Sequence, residues 1–139
     1  MPNIKTLNIG ESLSSVQLEP VSRLDLIKYA GASGDYNPIH TIDKAAESAG
    51  LPGIIAHGMW TMGNLSQLFT PFFEEGFVQT FTTRFSEMVF LDDVVTLHAQ
   101  LRAKEQDVLH FDVKAVKQNG KTAIKGSVTF QLFDEVQKV

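Results

Sequence analysis

Asp35 and His40 stand five residues apart, separated only by Tyr36, Asn37, Pro38 and Ile39. A carboxylate and an imidazole are the side chains most often used to move protons in catalysis. The run Ser33-Gly34-Asp35-Tyr36-Asn37-Pro38 is dense in turn formers, and Pro38 pushes Asn37 away from helical angles. Such a turn would fix both groups without help from a helix or a strand. The same residues have a plainer use, in which Asp35 and Asn37 make Asx-type turn bonds and His40 is incidental. Spacing alone leaves the two readings evenly balanced.

A second group, Pro52-Gly53-Ile54-Ile55-Ala56-His57-Gly58-Met59, leads into an apolar stretch with helical spacing. A helix N-terminus carries free N–H groups and the positive end of the dipole. A glycine there lets a ligand come close to the backbone. That combination suits a thioester carbonyl passing through an enolate. The plainer reading is a helix start in which Gly58 permits close packing and His57 fills space or caps.

The elements that must hold these groups change character once along the chain. After a short strand around Ser15–Leu18, Ser22 can cap a helix whose stripe is Leu24, Ile27, Lys28 and Ala30 and which ends near Gly31–Gly34. A short helix is expected over Asp43–Ser48, stopped by Gly50 and Pro52. A longer one should run from Gly58 to about Phe69, burying Met59, Met62, Leu65 and Phe69, with Pro71 and Gly76 closing it. From Phe77 to Phe133 the pattern becomes strand-like. Val95, Leu97, Ala99 and Leu101 alternate with polar residues, as do Leu109, Phe111, Val113 and Ala115, and then Ile124, Val128, Phe130 and Leu132. Gln118-Asn119-Gly120-Lys121 reads as a hairpin turn. Three or four long antiparallel strands after one central helix predict an α+β domain, its sheet wrapped around that helix and its edge completed by a dimer.

The 139 residues fit one domain, 1–139, with no repeat or linker. A formal net charge of -4 without a basic run argues against nucleic acid. The absence of cysteine removes disulfides, thiolate metal sites and a cysteine nucleophile. It also fits a reducing compartment. No stretch approaches the ~20 apolar residues that span a bilayer, and the start lacks a signal-peptide pattern. The expectation is a cytoplasmic protein without a membrane role.

Together the two segments resemble the MaoC-like, (R)-specific enoyl-thioester hydratase/dehydratase family of hotdog-fold proteins. The family motif Gly-Asp-x-Asn-Pro-x-His is complete as Gly34-Asp35-Tyr36-Asn37-Pro38-Ile39-His40. The second signature, an apolar pair before Ala-His-Gly-Met, matches Ile54-Ile55-Ala56-His57-Gly58-Met59. A later pattern, Arg-Phe-x-x-Pro-Val-x-x-Gly-Asp, starts at Arg84 but has Met88 and Asp92 in place of Pro and Gly. The resemblance implies a hotdog domain in which Asp35 and His40 hold and activate water. It makes the Gly58 N–H an oxyanion hole and gives Asn37, His57 and Ser66 supporting roles. The implied reaction is hydration of trans-2-enoyl thioesters, or the reverse dehydration of (R)-3-hydroxyacyl thioesters, in fatty-acid metabolism.

No cofactor is implied, because adding water changes no electron count. No metal is implied either, since His40, His57, His98 and His110 lack ligand spacing; His98 and His110 read as solvated surface residues. The substrate carrier is coenzyme A or acyl carrier protein, and Arg23, Lys28, Arg84 and Arg102 could form a patch for its phosphate. A homodimer or higher oligomer is expected, with a heteromeric partner as another possibility. Two rival readings are a hotdog acyl thioesterase and a non-catalytic acyl-binding subunit of a heteromeric dehydratase. The intact Asp35/His40 motif argues against both.

Overall fold

A computed structural model describes residues 3–134. The elements in chain order are β1 (Val16–Gln17), α1 (Arg23–Ser33), a 3-10 turn (Pro38–His40), α2 (Asp43–Ser48), α3 (Gly58–Leu65), β2 (Gly76–Phe85), β3 (Val95–Glu105), β4 (Val108–Lys117) and β5 (Thr122–Leu132). The five strands form one antiparallel sheet in the order β1-β3-β4-β5-β2. The α+β arrangement expected from the sequence is the one observed.

Alternation along the strands sends one face inward. Leu97, Ala99 and Leu101 of β3, Leu109, Phe111 and Val113 of β4, and Val128 and Phe130 of β5 are buried. The segment of α3 and its continuation covers them. Leu65 and Leu68 join this core, and Phe69 meets Phe111 edge-on with ring centroids 5.2 Å apart. Each such fully buried large side chain contributes roughly 1.5–3 kcal/mol. Among the described residues no helix is long and apolar enough to cross a membrane.

Local rules fix the helix ends. Ser22 caps α1 through a reciprocal box: its hydroxyl accepts from Asp25 N–H, while the Asp25 carboxylate accepts from Ser22 N–H. Gly34 ends the helix at φ 77°, in the left-handed region that glycine tolerates best.

Several expectations need correction. The buried face of α1 is Leu26 and Ala30, whereas Leu24 and Ile27 are exposed. At about 100° per residue, a face set by the i, i+4 pair Leu26/Ala30 turns both of the others away. α3 stops at Leu65 rather than Phe69, and the chain tightens into 3-10 turns over Ser66–Leu68 and Thr70–Phe72. The Ser66 hydroxyl donates to Gly63 O at 2.6 Å, and Pro71 has no N–H with which to continue the helix. Met59 faces outward, although Leu65 and Phe69 are buried as expected. His98 and His110 are half-buried rather than solvated, and His110 Nε2 is enclosed with no hydrogen-bond partner among the described residues. The turn between β4 and β5 is the expected hairpin, but only Gly120 in it has positive φ.

Candidate active site

The turn after α1 contains the Asx-type bonds expected of Asp35 and Asn37. Asp35 Oδ1 accepts from Asn37 N–H at 3.2 Å, and Asn37 Oδ1 accepts from Ile39 N–H at 3.2 Å, capping the 3-10 turn Pro38–His40. These Asx bonds leave Asp35 Oδ2 free to face His40, whose Nε2 lies 3.8 Å away. That gap is too long for a direct hydrogen bond and short enough for one oxygen atom to touch both groups.

Two backbone carbonyls set the histidine tautomers. His40 Nδ1 lies 2.8 Å from Ile55 O, and a carbonyl can only accept, so Nδ1 carries the hydrogen. Nε2 of the neutral ring is then a bare acceptor pointed at Asp35. His57 Nε2, 3.1 Å from Asp35 O, donates to it in the same way and ties the turn to the start of α3. The two imidazoles stack with centroids 3.8 Å apart, and Tyr29 meets His57 edge-on at 4.8 Å. His57 Nδ1 is buried without a partner among the described residues.

Asp35, His40 and His57 are also the group whose ligand-type atoms lie within 4.8 Å of one another. Each imidazole already spends one nitrogen on a carbonyl. The stacked rings are inclined by only 22°, so the lone pairs of their free nitrogens lie in two nearly parallel planes. The donor set therefore fits a proton-handling pair better than a metal centre.

Gly58 begins α3, and His57 before it makes no side-chain cap; the Trp60 N–H already donates to His57 O at 3.0 Å, which leaves the Gly58 and Met59 N–H groups as the donors at the helix start. A Cβ on Gly58 would lie 2.9 Å from Phe85 Cε1, so glycine is what lets the β2 end approach. Between them is a cavity of about 280 Å³ lined by His40, Gly58, Thr61, Phe85, Met88 and Val89 among others. Asp35, with 52% of its side chain exposed, is not part of the wall, whereas His40, 3.8 Å from it, is.

Thus Asp35, Asn37, His40, His57 and Gly58 come together. Ser66 does not, since its hydroxyl turns back onto Gly63 and it does not line the cavity. Three of the four basic residues named as a patch have neighbours of their own. Arg23 binds Asp43 and Thr41 O, Arg102 pairs with Asp112, and Arg84 lies opposite Lys125 across the sheet. Phe85, Met88 and Thr61 were missed as wall residues; spacing along the chain carries no signal for which side chains face a gap between segments.

A buried polar cluster beside the cavity was missed as well. Lys117 Nζ donates to Met88 O at 2.8 Å and lies 3.0 Å from Asp93 Oδ2, 5.1 Å from the Phe90 ring centroid. Burial alone would raise the Asp93 pKa. Hydrogen bonds from Gln118 and the Phe90 N–H, with Lys117 beside it, outweigh that and hold it below the usual 3.8. The sequence did contain a signal: Lys117 shares the inward parity of Val113 and Ala115.

The profile of the MaoC like domain family matches residues 5–126. Among curated relatives, a fatty acid synthase subunit beta from Aspergillus oryzae is 36% identical over 83 residues, 58% of this chain and 4% of that protein. The 3-hydroxyacyl-thioester dehydratase X of Mycobacterium tuberculosis is 56% identical over 34 residues, 24% of this chain and 12% of that protein. The chain therefore spans only a small part of these relatives. Among solved structures, the unliganded R-hydratase PhaJ1 from Pseudomonas aeruginosa superposes with a TM-score of 0.85 at 23% identity, covering 94% of this chain and 85% of the other. That likeness establishes the hotdog fold.

Proposed function

We propose, from the premise that this chain belongs to the MaoC-like domain family, that it adds water to trans-2-enoyl thioesters or removes it from (R)-3-hydroxyacyl thioesters. The observation that carries the reading is the 3.8 Å separation of Asp35 Oδ2 and His40 Nε2, with the His40 tautomer fixed by Ile55 O, beside an open helix N-terminus.

The thioester is electrophilic at C3, but water is a weak nucleophile and the enolate formed by its attack is unstable. Asp35 Oδ2 and His40 Nε2 hold one water between them. His40 Nε2 takes a proton as the oxygen bonds to C3, while the second hydrogen stays on that oxygen and donates to Asp35 Oδ2, which also faces the imidazolium. Electrons move onto the thioester oxygen, where the Gly58 N–H at the positive end of α3 stabilises them; one such donor is worth about 3 kcal/mol. As the enolate collapses, the imidazolium returns its proton to C2 on the same face. The two hydrogens and the oxygen of water all reach the product, and the reverse sequence dehydrates it. The acyl chain would occupy the cavity between Phe85, Met88 and Thr61.

The test is loss of enoyl absorbance from crotonyl-CoA, for the wild type beside D35N and H40A. Wild-type turnover with a loss of about 10²- to 10⁴-fold in each folded variant is the expected outcome. A folded wild type that leaves crotonyl-CoA and longer enoyl-CoA chains untouched would rule out a self-sufficient CoA hydratase. The carrier would then be a protein, or a partner subunit would be required.

A further inference from the structure

We infer that Lys117 is a positioning residue for the site: with Asp93 it clamps the 86–94 loop, and through that loop it sets the placement of His40 and Gly58. The inference rests on the hydratase reading for its kinetic consequence and on geometry alone for the clamp.

Lysine is almost never this buried unless paired, and Lys117 is only 8% exposed. It sits at the last residue of β4, opposite Val95. Its ammonium group reaches across to Met88 O and Asp93 Oδ2, above the Phe90 ring. Asp93 Oδ2 also accepts from Phe90 N–H, and its Oδ1 accepts from Gln118 Nε2. Gln118 Oε1 accepts from Val94 N–H. The β4–β5 turn therefore holds both ends of the loop. Asp92 within it has φ 67°, in the left-handed region that, after glycine, Asn and Asp enter most readily.

From the loop, contact runs directly into the site. Val89 O accepts from Ala56 N–H at 2.7 Å, and Phe90 bridges Ile55. Ile55 O is the acceptor that fixes the His40 tautomer, and Ala56 is two residues before Gly58. Met88 and Val89 also line the cavity. Lys117 touches none of the proton-handling groups and reaches Met88 at its backbone carbonyl, yet a loosened loop frees the Ile55 carbonyl and the start of α3 together. Shifts of ~1 Å at such a distance cost on the order of 10²-fold in rate.

The experiment compares wild type, K117M and K117M/D93N. K117M alone leaves a buried carboxylate unpaired and can fail to fold for that reason. The double variant removes both charges at similar volume and retains the fold, judged by circular dichroism and melting temperature. Amide hydrogen exchange is read at Ala56 and, as an internal reference, at Phe111 in the middle of β4. The expected result in the double variant is exchange at Ala56 about tenfold faster, with Phe111 unchanged. kcat should fall by roughly 10- to 100-fold while KM stays within about threefold. A role in global stability alone would move Ala56 and Phe111 together. Wild-type exchange at Ala56, or wild-type kcat in the double variant, overturns the inference. A wild type without turnover removes the reaction reading, while selective exchange at Ala56 still decides the clamp.

Discussion

Asn37 shows how closely turn chemistry and site chemistry are joined at the scale of one residue. Its Oδ1 caps the turn that ends in His40, and its N–H occupies the Asp35 oxygen that does not face the imidazole. Removing the side chain should therefore misplace His40 while leaving every proton-handling group present. N37A is expected to lose about 1 kcal/mol of stability, the usual value of such a cap. It should also lower kcat more than it raises KM. N37D keeps an acceptor in the same place and should recover most of both. Thermal melts and steady-state kinetics of the two variants check this; equal kinetic defects in N37A and N37D would show that the amide does more than cap. The Asx-turn bonds are present, and because Asp35 has two oxygens they leave Oδ2 facing His40, as the functional reading requires.

Strands and helices differ in how much of them could be read in advance. Alternation in β3, β4 and β5 identified their inward residues because period two leaves only two faces to choose between. The helical stripe of α1 misled, since a helix has many faces and its apolar Leu24 and Ile27 lie off the one that packs. What alternation could not show is how the outward residues line up between strands. His98 of β3 faces Lys114 of β4, Lys114 faces Lys125 of β5, and Lys125 faces Arg84 of β2. Like charges directly opposite one another destabilise a sheet. Partial burial and the nearby Lys114 charge both push the His98 pKa below its ordinary 6.5. The unfolded chain then binds the extra proton first, so stability falls as pH drops from about 6.5 toward the lowered folded value. K114E should place an opposite charge between His98 and Lys125. It is expected to stabilise the fold by roughly 0.2–1 kcal/mol at low salt. It should also flatten the acid-side slope below pH 6.5. Urea melts at several pH values would show it; an unchanged slope would mean that the slope does not arise from His98.

At the scale of the molecule the sheet has two edges, the two-residue β1 and the much longer β2. β2 is ten residues long, and Phe77 and Phe85 on it are substantially exposed. A long edge with apolar side chains invites another strand, and a second copy meeting it antiparallel about a two-fold axis closes both β2 edges at once. We propose that the chain dimerises through this edge, which would also screen the cavity wall at Phe85. Gln79 is the place to test it. The β2–β5 register skips this residue, pairing Val78 with Phe130 and then Thr80 with Thr129, which marks a bulge. Proline at such a bulge on an edge strand is compatible with the monomer fold but obstructs pairing from the free side. Q79P is expected to keep the wild-type circular dichroism spectrum and sediment as a monomer where the wild type sediments as a dimer. A Q79P protein that remains dimeric would place the interface on another face. A wild type that is monomeric at micromolar concentration would leave the β2 edge unpaired, and its exposed phenylalanines would then need a different partner.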